Sequence, residues 1–136
     1  MAKQFWLVKS EPDVYPYEQL EKDGKTVWDH VRNYTARLHL RAMKKGDEVL
    51  YYHSGDVKAV VGIAKVVREG YPEVTDDEGD WTVVDVAPVK KLSKPVTLAT
   101  IKAQKSLASI MLVRQGRLSV MSLKKAEFDR IVALSK

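Results

Sequence analysis

The residues best suited to chemistry cluster where apolar runs end. Lys9-Ser10-Glu11 closes the first run, and Tyr51-Tyr52-His53-Ser54 closes another. Nucleophilic catalysis through a Ser–His pair is disfavoured here. Ser54 follows His53 directly, and neighbours on a strand point to opposite faces. Ser10 and Ser54 read more simply as turn residues. The three histidines, His30, His39 and His53, have no i, i+4 partner among themselves and no cysteine to assist them. A transition-metal site is therefore not expected. Asp76, Asp77, Glu78 and Asp80 do not match a calcium loop and read as an acidic hairpin tip. The seven glycines form neither G-x-G-x-x-G nor G-x-x-x-x-G-K, so no nucleotide cofactor is predicted.

Planar and polar groups make a better case. Trp28, Asn33, Tyr34, Arg37, Tyr51, Tyr52 and His53 fall in or beside turns, with Arg32 and Lys9 among them. Such a set suits a pocket for one base. A ring stacks on an aromatic face, and amide or hydroxyl groups read its edge. Trp6, alternating inside a strand, is assigned to the core.

Charge supports an anionic partner. The chain carries +5 overall, and its distribution is lopsided. Residues 1–88 are net −4 and residues 89–136 net +9. Lys90, Lys91, Lys94 and Arg114 with Arg117 are the cations expected to hold a phosphate backbone. Affinity from such contacts falls as salt rises, because each neutralised phosphate releases counterions.

The elements that position these groups follow from period and punctuation. Gln4–Lys9 reads as a strand ended by Pro12. Pro16–Asp23 reads as a short helix that starts on Pro16 and stops at Gly24. Asn33 should cap a helix over Tyr34–Met43, with Leu38 and Ala42 on one face. Glu48–His53, Lys58–Arg68, Trp81–Val89 and Ser119–Met121 read as strands, with a possible bulge site at Gly62. Tyr71–Asp80 is a hairpin connection. Thr97–Lys105 is a helix capped by Thr97 or Thr100, and Ser122 should cap a last helix carrying Phe128, Ile131 and Val132. Several strands with short helices at their corners point to one α+β domain whose sheet closes into a barrel. With 136 residues the chain suits a single domain, 1–136, with roughly two-thirds of its unfolded surface buried. It has no cysteine, no signal-like apolar start and no run near the ~18 apolar residues of a membrane span. The cytoplasm is the expected location.

Six stretches carry a resemblance: FWLVKSEP, VWDHVRNYTAR, MKKGDEVLYYHS, VVGIAKVVREGYP, WTVVDVAPVKKL and LVRQGRLSVM. In this order they cover nearly the whole chain, which resembles the EVE family (thymocyte nuclear protein type) of the PUA-like group. The resemblance implies a mixed PUA-like β-barrel with short flanking helices. It also implies a pocket for a single, often modified, base in DNA or RNA. On it, Lys9 and Ser10 would form the pocket rim, and Trp28, Asn33 and Tyr34 would line it. Tyr52, His53 and Ser54 would face it, and Arg114, Gln115 and Arg117 would donate to the ligand or its phosphate. His30 stands where the family commonly has Gly, and Thr35 where it commonly has Gln. The expected activity is non-catalytic binding. The alternatives are a small hydrolase of modified nucleosides, using Lys9 with Glu11 or Ser54 with His53, and an accessory protein-interaction domain.

Overall fold

A computed structural model describes residues 3–29, 33–72, 81–116 and 118–136. The elements run β1 (Phe5–Ser10), α1 (Tyr17–Asp23), β2 (Thr26–Trp28), α2 (Tyr34–Ala42), β3 (Glu48–His53) and β4 (Ala59–Pro72). They continue with β5 (Thr82–Thr97), α3 (Leu98–Ala103), a 3-10 turn (Lys105–Leu107), α4 (Met111–Arg114), β6 (Val120–Leu123) and α5 (Lys125–Leu134).

The strands form one six-stranded mixed sheet in the order β2-β5-β4-β3-β1-β6. Its parallel pair is β1 with β3, joined by a crossover through α1, β2 and α2. The α+β class expected from the sequence is present. Closure into a barrel is not, because β2 and β6 are the sheet's two edges among the described residues. The sheet nevertheless coils strongly. Trp28 on edge strand β2 lies three strand spacings from Tyr51, about 14 Å on a flat sheet. Their ring centroids are 5.5 Å apart.

Burial of apolar side chains on the coiled sheet forms the core. Leu7, Val49, Leu50, Val60 and Val84 are fully enclosed. Trp6 is buried as expected, and its indole N–H donates to Asp47 Oδ2 at 2.9 Å. Asp47 also accepts from the backbone N–H groups of Gln4 and Lys44, so its buried carboxylate is well supplied with donors. Gly62 answers to one contact. A Cβ there would meet the Tyr17 ring at 2.5 Å. The β3–β4 register shifts beside it, between Tyr51 and Tyr52.

Local signals set several boundaries. Asn33 Oδ1 accepts the Ala36 N–H at 2.9 Å, Thr97 caps α3, and Gly24 stops α1 at φ +79°. Other expectations need correction. Pro16 sits just outside α1 as its N-cap, at ψ 159°. The buried face of α2 is Ala36 and Leu40, while Leu38 is 60% exposed. Ala42, the other residue expected on that face, is exposed as well. Ser122 belongs to β6, and the last helix starts after Lys124, whose N–H donates to Glu127 Oε1 at 2.8 Å. β5 runs on to Thr97, its ladder with β4 shifting register between Val96 and Lys91 around Pro95. The hairpin connection Tyr71–Asp80 lies outside the described residues from position 73 onward.

Candidate nucleic-acid site

The parallel pair sets the site. Lys9 lies opposite Tyr52, and Ser10 opposite His53, at the carboxyl ends of β1 and β3. Strand ends of this kind leave side chains and backbone groups facing outward at one rim. Strand alternation then divides the expected pocket in two.

One face carries an open concavity of about 190 Å³, lined by Lys9, Tyr52, Ser54, Lys58, Leu98 and Leu112 with Gly55 and Gly116. Lys9 Nζ donates to the Gly116 carbonyl at 2.8 Å and lies 5.7 Å from the Tyr52 ring centroid. Burial pulls the Lys9 ammonium below the usual lysine pKa. The turn after β3 brings Ser54 and Lys58 to this cavity. Gly55 takes φ +72°, and Lys58 takes φ +48°, a left-handed conformation that costs a residue with a side chain ~1–2 kcal/mol. The Lys58 carbonyl accepts the Leu98 N–H at 2.8 Å, so the start of α3 holds that conformation. The concavity is open to solvent and can admit one heterocycle.

The other face is packed. His53 Nε2 accepts the Tyr17 N–H at 3.1 Å, which requires an unprotonated Nε2. Burial lowers the His53 pKa, opposed by Glu18 and assisted by Lys91. Ser10 Oγ and Tyr51 Oη both donate to the Tyr15 carbonyl, at 3.0 and 2.6 Å. Burial raises the Tyr51 hydroxyl above the ordinary tyrosine pKa. Trp28 is 8% exposed and meets Tyr51 edge-on.

Asn33 and Tyr34 begin α2. The Asn33 side chain is used as the α2 cap. Tyr34 stacks on Trp81 at 5.4 Å, three residues along the chain from Val84, the ladder partner of Trp28. Arg114 and Gln115 are exposed and precede the cavity residue Gly116. Arg117 lies outside the described residues. Lys91 pairs with Glu18 at 3.0 Å, while Lys90 and Lys94 are exposed along β5. Lys58, Leu98 and Leu112 were not singled out in the sequence. Lys58 could have been flagged, because it closes a turn that opens on Ser54-Gly55. No group of three or more potential metal ligands occurs among the described residues. No helix among them is long and apolar enough to cross a membrane.

A mixed, coiled sheet with a strand-end cavity beside a basic segment defines a small PUA-like fold. The chain belongs to the EVE domain family, which it matches over residues 4–134. Human thymocyte nuclear protein 1 is 34% identical, over 96% of this chain and 73% of that protein. A Rhodopseudomonas palustris protein solved by NMR superposes with TM-score 0.92 at 42% identity, covering 97% of this chain and 92% of its own. The crystal structure of human THYN1 in complex with 5-methylcytosine-containing DNA superposes with TM-score 0.89 at 32% identity, covering 98% of each chain.

Proposed function

We propose that this chain binds a modified base in DNA, with 5-methylcytosine as the first candidate, and that the Lys9–Tyr52–Ser54 cavity receives the base. The observation that carries this reading is the DNA complex of the human relative, a protein similar over 98% of this chain. The cavity supplies the chemistry. Lys9 and Ser54 offer donors to the carbonyl and ring nitrogen of a cytosine edge, and Tyr52 offers an aromatic wall. Leu98 and Leu112 offer apolar surface to a methyl group. Arg114 and Gln115, with Arg117, stand next in sequence for the flanking phosphates, and Lys90, Lys91 and Lys94 extend the basic face.

Binding of fluorescein-labelled oligonucleotides, followed by anisotropy, tests this placement. Lys9→Met and Ser54→Ala should weaken binding of a methylcytosine oligonucleotide, and Trp28→Phe should leave it within about twofold. A loss of tenfold or more in a folded Trp28→Phe variant, with Lys9→Met unaffected, would move the base to the packed face.

A further inference from the structure

The far end of the β4–β5 hairpin carries a second set of flat faces. Thr97 pairs with Ala59 at the cavity end of these strands, and Thr82 pairs with Pro72 at the other, on the order of 40 Å of strand away. There Tyr34 opens α2, 65% exposed, with its ring stacked on Trp81 at 26° between planes. Arg37, one turn on, places its guanidinium 4.8 Å from the Tyr34 ring centroid and 5.5 Å from that of Trp81. Arg41, a further turn along the same helix face, donates from Nε to Thr82 Oγ1 at 2.9 Å. It also walls a concavity of about 230 Å³ with Tyr71 and Pro72. Arg68 lies 3.6 Å over the Tyr71 ring.

Two arginines, Arg37 and Arg68, thus lie against three rings in this patch. Guanidinium planes and exposed rings are also the groups on which unpaired bases stack, with little dependence on sequence.

We propose that Tyr34, Arg37, Arg41, Arg68 and Tyr71, with the buried Trp81 ring (8% exposed) backing Tyr34, form a second nucleic-acid contact that stacks the unpaired bases of a single strand. This inference rests on the reading of the chain as a DNA-binding module, and it adds a surface distinct from the base cavity.

The test uses the full chain with labelled single strands of ~12 nucleotides, dT and rU, within the ~4–16 nucleotides typical of one stacking domain. A duplex bearing one methylcytosine serves as the comparison ligand. Tyr34→Ala should weaken single-strand binding by about fivefold or more, the range of ~1–3 kcal/mol per stacked base. Arg68→Ala should weaken it as well, while both variants keep the methylcytosine preference and the melting temperature. Unchanged single-strand affinity in both variants would overturn the proposal. So would failure of the wild type to bind either strand at low salt, and a preference for the methylated duplex would then still stand by itself. Single-strand binding that tracks Tyr34 without any methylcytosine preference would keep this contact and remove the base cavity. Binding of dT but not rU, or the reverse, would identify the strand chemistry the patch accepts.

Discussion

Lys9 and Tyr52 face each other across the parallel β1–β3 pair, with the ammonium 5.7 Å from the ring centroid and hydrogen-bonded to the Gly116 carbonyl. This pairing places a desolvated donor and an aromatic wall at one strand end. Replacing Lys9 by Met keeps the length of the stem and removes the charge. A hydrogen bond to a charged group is worth ~1.5–3 kcal/mol, so Lys9→Met should weaken the methylcytosine oligonucleotide ~10-fold or more. Ser54→Ala, losing a neutral bond of ~0.5–1.5 kcal/mol, should cost ~2–10-fold. Titration calorimetry of both variants measures this. Equal affinities to wild type would show that neither group touches the ligand.

Trp28 is expected to act through stability. Its ring is buried against Tyr51, and Trp→Ala in a core costs ~3–5 kcal/mol. Urea denaturation of Trp28→Ala should show a loss of that size. A midpoint within experimental scatter of wild type would mean that the ring is not part of the packed face.

Gly62 should also resist substitution. The Tyr17 ring above it is fully buried, and its hydroxyl donates to the Ile63 carbonyl at 2.6 Å, so it has no room to retreat. Gly62→Ala should destabilise by ~1–3 kcal/mol through overpacking. An unchanged denaturation midpoint would contradict the Tyr17–Gly62 contact.

Stability should fall as the medium is acidified through the histidine range. His53 must be neutral to accept the Tyr17 N–H, and burial holds its pKa below the unfolded value of 6.5. Between the folded pKa and 6.5 the unfolded chain binds more protons, so the stabilisation is complete above that window and lost as pH drops through the folded value. His39, also lowered by burial, adds a second contribution of the same sign. His53→Gln, whose Oε1 can accept the same N–H, should flatten the melting temperature between pH 7.5 and 5 and leave the His39 part. An identical pH slope in wild type and variant would show that His53 is not linked to folding.

Short-range physics made part of this structure readable in advance. Asn33 as a cap, Gly24 as a stop, Thr97 as a cap and β3 over Glu48–His53 all depend on a few neighbouring residues. The failures have long-range causes. α2 buries Ala36 and Leu40 and leaves Leu38 exposed, a choice set by where the helix meets the sheet. β6 claimed Ser122 by pairing with Trp6 across almost the whole chain. The candidate site was legible as residue types and not as a shape. Lys9, Tyr52 and Ser54 were named, but Ser10 and His53 belong to the opposite face. The remaining walls, Leu98 and Leu112, come from helices that only the fold brings near β1.

Discrimination of one methyl group tests the central claim most directly. Burial of a methyl against Leu98 and Leu112 is worth ~0.8 kcal/mol, which predicts about fourfold tighter binding of a methylcytosine oligonucleotide than of its cytosine twin. Paired anisotropy titrations at one salt concentration give that ratio, and Leu98→Ala should bring it close to one. Equal affinity of the wild-type chain for the two oligonucleotides would contradict the account.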